Sequence, residues 1–249
     1  MKTLYVSDLD GTLLRSNETT SEYTNSVINN LTDRGMIFSY ATARSLITAK
    51  KVTNGLRAEI PLIVYNGAFI VDNLTGEVLV ANYFDESVGS VLDDLFGNQI
   101  FPIVYARIDG RGDVRTNAVQ SVENLKVGNI FYITCIDSPE KLNPMYDKYK
   151  ETFHCVYQKD IYTDEQWLEI MPLEASKANP IKQLQKILEC DRVITFGDGR
   201  NDIDMFELAD ESYAVQNADE QLKRYATSVI SSNDEDGVAH WLEDNYIVK

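Results

Sequence analysis

Short apolar runs alternate with stretches of helical period along the first third of the chain. Residues 4–6 (Leu4, Tyr5, Val6) predict a buried strand. After a polar loop over 15–20, Tyr23, Val27, Ile28 and Leu31 recur at helical spacing, and Gly35 is a C-terminal stop. Residues 36–41 form a second apolar run, 45–54 a second helix, and 61–65 a third buried run that ends in Asn66 and Gly67. Strand and helix in alternation predict an α/β fold whose parallel, Rossmann-like sheet has right-handed crossovers.

The texture then changes. Residues 68–71 and 78–81, around a turn at 73–76, predict a hairpin. Beyond it come a helix at 85–96, a strand pair at 100–106 and 114–118 around a loop at 107–111, and a strand at 128–136. A helix at 139–150 and strands at 153–158 and 167–171 follow. This mixture predicts antiparallel pairing with helices on one face, an α+β domain inserted over 82–174. The first pattern resumes with a helix after Lys177 that carries Pro180 in its first turn, a position proline favours. A buried strand at 192–196, a helix through Met205, Phe206 and Leu208, short strands at 212–215 and 228–230, and a helix at 237–243 complete it. Residues 1–81 and 175–249 are thus expected to form one core domain. No internal repeat or low-complexity tract interrupts the pattern.

Charge narrows the partners. Lys plus Arg number 23 against 39 Asp plus Glu, a formal net charge of -16 over 249 residues. That balance speaks against nucleic acid and anionic membrane surfaces, both of which call for basic patches. Any phosphorylated ligand must meet positive charge supplied locally. Cys135, Cys155 and Cys190 are widely spaced and read as buried apolar residues. With no signal-peptide pattern and no apolar stretch of membrane-spanning length, a cytoplasmic protein is expected, a monomer or weak oligomer.

In open parallel sheets ligands bind beyond the carboxyl ends of the strands. Asp8, Thr42 and Asn66 each sit at such an end. Asp8 and Asp10 are two residues apart, so in extended geometry both face one spot, and Gly11 allows a sharp turn after them. Two carboxylates at one spot repel unless a cation or proton lies between them, and Mg²⁺ suits such oxygen ligands. The plain alternative is an acidic turn, since Asp and Gly favour turns. A second acidic cluster, Asp198 and Asp202, follows the strand at 192–196 and is spaced by one helical turn. By itself it is an ordinary helix start. Together the four carboxylates call for a shared cation. Lys177 alone reads as a solvated lysine and Thr42 as a helix cap, yet an ammonium and a hydroxyl at strand ends suit a transferring phosphoryl group.

Asp8-Leu9-Asp10-Gly11-Thr12-Leu13, Ala41-Thr42-Ala43-Arg44, Ser176-Lys177 and Gly197-Asp198-Gly199-Arg200-Asn201-Asp202 resemble the four ordered motifs of the haloacid dehalogenase (HAD) superfamily of phosphohydrolases. Val215-Gln216-Asn217-Ala218 and the stretch 232–238 are similar to its Cof-like branch, which carries a large α/β cap between the second and third motifs. The resemblance implies Asp8 as nucleophile, forming an aspartyl-phosphate, and Asp10 as general acid and then base. It implies Mg²⁺ held by the Asp8 carboxylate, the Asp10 carbonyl and Asp198, with Asp202 in support. Thr42 and Lys177 would hold the phosphoryl oxygens, and Ala43, Arg44, Asn66 and Asn201 would complete the substrate site. Ala43 and Ala178 stand where the family has glycine, which implies small changes of local geometry. The cap would close over the leaving group; on charge and aromatic character alone Tyr105, Arg107 and Arg111 are candidate contacts, against the plainer reading of each as part of a solvated loop. The expected activity is a Mg²⁺-dependent phosphomonoesterase on small phosphorylated metabolites, sugar phosphates above all. The rivals are a phosphomutase, a receiver-like signalling module that stays phosphorylated, and a catalytically silent metal-binding protein.

Overall fold

The computed structural model describes residues 1–57, 59–108, 111–116, 119, 129–159 and 165–246, with side chains left aside at 108 and 111–116. Backbone contacts divide the chain into two compact units, Met1–Ala81 with Ser176–Lys249, and Asn82–Ala175.

The first unit is built on a five-stranded, all-parallel sheet. Its strands are β1 (Thr3–Ser7), β2 (Ile37–Tyr40), β11 (Arg192–Gly197), β12 (Glu211–Val215) and β13 (Ser228–Ile230), in the order β13-β12-β11-β1-β2. The first crossover leaves β1 for β2 on one side, while the later strands line up on the other. The strand order therefore reverses at β1, which is where such sheets open a crevice at their carboxyl ends. α1 (Glu22–Asp33) is capped by Ser21, whose hydroxyl accepts from the Thr24 amide, and α2 (Leu46–Val52) is capped the same way by Ser45. α5 (Ala178–Ile187), α6 (Ile203–Leu208) and α7 (Gly237–Asn245) complete the unit. Trp241 on α7 packs against Phe196 and Tyr213 with ring centroids 5.2 and 4.3 Å away, fastening the last helix onto the middle of the sheet.

One sequence expectation changes here. The third apolar run was expected to join the parallel sheet. Instead β3 (Leu62–Val64) pairs antiparallel with β4 (Phe69–Val71), which pairs with β5 (Val78–Ala81) in a separate three-stranded sheet. The link to the parallel sheet is a single bridge, Ala41 to Ile63. The hairpin after β3 follows at once, so its strand takes the ladder partner closest in sequence, while the Ser39 hydroxyl on the Pro61 carbonyl and the Thr42 amide on the Ile63 carbonyl keep it beside β2.

The second unit is a five-stranded antiparallel sheet in the order β7-β6-β8-β10-β9. It comprises β6 (Ile103–Ile108), β7 (Arg111–Thr116), β8 (Asn129–Ile136), β9 (His154–Lys159) and β10 (Gln166–Met171). α3 (Val88–Gly97) and α4 (Pro139–Tyr149) share one apolar core with it, including Leu92, Leu95, Ile133, Leu142, Leu168 and Ile170. β6 runs through Ile108 and β7 begins at Arg111, so Arg107 and Arg111 belong to strands and not to the expected loop. The Arg111 side chain lies outside the described residues. Among the described residues no helix is long and apolar enough to cross a membrane.

Candidate active site

Parallel register brings the two ends of the chain together. Ser7 lies opposite Phe196, and the Asp8 amide donates to the Phe196 carbonyl at 2.9 Å. One residue beyond β1 is Asp8; one residue beyond β11 is Asp198. The carboxylates of Asp8, Asp198 and Asp202 offer oxygens within 4.8 Å of one another.

Lys177 closes this cluster from the start of α5. Its ammonium, with the side chain 1% exposed, donates to Asp8 Oδ1 and to Asp202 Oδ1, both at 2.6 Å. It is not the solvated lysine that its local sequence would predict. The other Asp202 oxygen, Oδ2, accepts from the Asp198 and Gly199 amides, each at 3.0 Å. Asp202 is thus fully engaged in holding the strand-end loop and the lysine. It reaches the cluster through a single 3-10 turn, Arg200–Asp202, and not from the regular helix expected. Asn201 sits in that turn, with its side-chain oxygen against Gly199. Asp198 accepts from the Thr12 hydroxyl at 3.0 Å. Thr12, buried and four residues on from Asp8, carries no sequence signal of its own beyond its place inside the same motif.

Asp10 departs from the expected geometry. Strand β1 ends at Ser7, and the chain winds into a tight turn over Leu9–Leu13 with Gly11 at φ +75°. The alternation that would aim Asp8 and Asp10 alike therefore stops one residue early. Asp8 is buried, whereas the Asp10 carboxylate, 48% exposed, is gripped by Arg44. Three carboxylates, not four, converge. Glycine is required at position 11 on two counts: a positive φ, and the Asp198 carboxylate, which a Cβ would meet at 2.3 Å.

Thr42 is fully buried at the end of β2. Its amide donates to Ile63, its carbonyl accepts from Asn66, and its hydroxyl accepts from the Arg44 amide at 3.1 Å. The cap of α2 is Ser45, so Thr42 is free of that role. Tyr65, Asn66 and Gly67 all have positive φ, forming a strained turn that comes up against the Ser176 carbonyl beside Lys177. Ala43 is exposed, and neither it nor Ala178 has a positive φ, so the methyl groups in place of glycine meet no conformational penalty.

The electrostatics follow from one ammonium set among three carboxylates. Burial pushes the Asp8 carboxyl well above its ordinary range; Asp202 and Asp198 add to the rise and Lys177 opposes it. Asp198 is pushed up to about 7, first by burial and then by Asp202, with Thr12 and Lys177 pulling the other way. Burial alone would lower the Lys177 pKa, but Asp202 and Asp8 outweigh it and the value rises. Burial raises both carboxyls, and the excess of carboxylates over ammonium adds to that rise while overcoming burial at Lys177. A hard divalent cation is what such an all-oxygen donor set fits.

The family pattern of haloacid dehalogenase-like hydrolases matches residues 5–242, which spans both chain ends and the inserted unit. The chain belongs to the haloacid dehalogenase-like hydrolases. Among similar proteins is one from Buchnera aphidicola subsp. Schizaphis graminum, 30% identical over 99% of this chain and 97% of its own, whose name places it with the phosphatases and gives no substrate. The 5-amino-6-(5-phospho-D-ribitylamino)uracil phosphatase YwtE of Bacillus subtilis is 26% identical over 95% of each chain. A haloacid dehalogenase-like hydrolase of B. subtilis shares the fold, with TM-score 0.81, 22% identity, and 99% and 100% of the two chains covered.

Proposed function

We propose that this HAD-like hydrolase is a phosphomonoesterase that passes a phosphoryl group first to Asp8 and then to water. The observation that carries the reading is the state of Asp8. One of its oxygens is bound by Lys177, while among the described residues the other has no hydrogen-bond partner. That oxygen attacks phosphorus as the bond from phosphorus to the leaving oxygen breaks, and an aspartyl-phosphate forms. Asp10 gives its proton to the leaving oxygen. It then takes a proton from the water that displaces Asp8 and frees inorganic phosphate. Two carboxylates in different surroundings, one buried and salt-bridged and one half-exposed, suit these two different tasks.

Lys177 and Thr42 hold the phosphoryl oxygens, with Asn201 and Asn66 at the margin of the same site. Mg²⁺, held by the Asp8 and Asp198 carboxylates and the Asp10 carbonyl with Asp202 behind them, would supply neutralising charge to those oxygens. The substrate is a small phosphorylated metabolite, a sugar phosphate or a related polyol phosphate; the naming of YwtE for a phosphoribityl compound supports this class. The proposed enzyme is cytoplasmic and monomeric or weakly oligomeric, and its net charge of -16 speaks against nucleic-acid and anionic-membrane partners.

Phosphate release measured over a panel of sugar, polyol and nucleotide phosphates tests the activity, with Asp8→Asn as control. Wild type should turn over at least one ester with Mg²⁺ present, and Asp8→Asn should lose at least about 1,000-fold while Mg²⁺ binding falls only in part. Near-wild-type rates in Asp8→Asn, or isomerised product without free phosphate, would refute the proposal.

A further inference from the structure

Arg44 follows Thr42 at the end of β2, where a guanidinium would be read as a phosphate ligand. Its Nε and Nη2 donors are directed elsewhere. Nε lies 3.1 and 2.9 Å from the two Asp10 oxygens, and Nη2 lies 2.5 Å from Asp10 Oδ1 and 3.3 Å from Glu18 Oε2. The Arg44 backbone is itself anchored, its amide on the Thr42 hydroxyl at 3.1 Å and its carbonyl on the Tyr65 amide at 3.1 Å. Of the two partners Arg44 is the better held, its side chain 22% exposed against 48% for Asp10. A planar fork on both oxygens fixes the rotation of a carboxylate as well as its position, which the single ammonium of lysine does not do.

We infer that Arg44 is a positioning residue for Asp10, aiming the carboxylate that serves the leaving oxygen, and not a ligand of the phosphoryl group. The inference rests on the reading of Asp10 as the general acid. The unconstrained alternative is plain from the backbone. Asp10 sits in an extended conformation (φ -71°, ψ 123°) on the outer side of a glycine turn, where its side chain would otherwise rotate in solvent. Glu18 accepts from the same Nη2, so two charged groups of opposite sign, Arg44 and then Glu18, line up behind the acid.

The two roles separate by leaving group. p-Nitrophenyl phosphate expels a stable phenolate that needs no proton, whereas an alkyl ester such as β-glycerophosphate needs one. kcat/KM counts steps only up to departure of the leaving group, so later hydrolysis of the aspartyl-phosphate does not enter. The full-length chain with Mg²⁺ is compared with Arg44→Lys, Arg44→Gln and Asp10→Asn, their folding checked by circular dichroism. Arg44→Lys keeps the charge at a partly exposed site and is the variant least able to disturb the fold. Both Arg44 variants should lose about 100-fold on the alkyl ester and at most about 5-fold on the nitrophenyl ester, in the same sense as Asp10→Asn. Equal losses on both esters in the Arg44 variants, with Asp10→Asn still discriminating, overturn the inference alone. Equal losses in Asp10→Asn overturn the acid assignment and the inference together, and a wild type inert to both esters overturns the phosphatase reading as well.

Discussion

Replacing Lys177 by methionine removes the ammonium while nearly conserving volume. In the ion-free protein this leaves Asp8 and Asp202 buried without the cation that each of them touches at 2.6 Å. Removing one partner of a buried ion pair costs about 3–5 kcal/mol, a large share of the roughly 5–15 kcal/mol that holds a folded domain together. Protons can stand in for the lost charge. Asp8 and Asp198 already have folded pKa values above their unfolded ones, so the folded state binds more protons and stability falls as pH rises; without Lys177 that excess grows. Lysine's own contribution is fully present below its unfolded pKa, so between pH 5.5 and 8 the slope comes from the carboxylates. Each excess proton is worth about 1.4 kcal/mol per pH unit. The loss in Lys177→Met should therefore be about 3–5 kcal/mol at pH 8 and shrink to about 1–2 kcal/mol at pH 5.5. Urea unfolding of chelator-treated wild type and variant at both pH values measures it. A loss below about 1 kcal/mol at pH 8, or an equal loss at both, would refute the account of the cluster.

Other consequences can be measured alongside. Because Asp198 holds a proton below about pH 7, Mg²⁺ must displace it there; the thermal shift caused by Mg²⁺ should be larger at pH 8 than at pH 5.5, and calorimetry should show proton release on binding at the lower pH. Gly67→Ala should cost about 2–4 kcal/mol, because its Cβ would meet the Ser176 carbonyl at 2.4 Å, while Gly35→Ala, with a similar φ and nothing within 4 Å, should cost about 1–2 kcal/mol; chemical unfolding compares them directly. Burial would raise the Asp236 carboxyl, but bonds from Arg15, Ser21 and Thr24 win and hold it below the ordinary range. Its contribution is fully present above the unfolded pKa of about 4 and is lost as pH falls from there through the lowered folded pKa, so Asp236→Asn should cost about 1–3 kcal/mol at pH 7 and progressively less as pH is lowered below about 4, read from urea midpoints.

Much of the fold is written locally. A buried strand or an amphipathic helix is a pattern over a few residues, so β1, α1, β11 and the strands β8, β9 and β10 stand where their apolar periods predict them, whereas β6 and β7 run on into the stretch expected to be a loop. The residue types at the strand ends also signal charge chemistry, since carboxylates, a lysine and a buried hydroxyl at such positions are costly without a ligand. What tertiary structure alone decided are the partners. That Asp8 meets Asp198 depends on Ser7 pairing with Phe196, a register set by packing across nearly the whole chain. Whether Lys177 is solvated or buried depends on where α5 docks, which residue type and local pattern do not show; only the resemblance of Ser176-Lys177 to a family motif points to the site. Asp10 shows the limit from the other side. Period-two alternation holds only while the strand lasts, and β1 gives way at Ser7 to a turn whose Gly11 lies against the Asp198 carboxylate from the far end of the chain. The same two-residue spacing that predicts convergence thus ends in divergence, with Asp8 turned inward to Lys177 and Asp10 outward to Arg44.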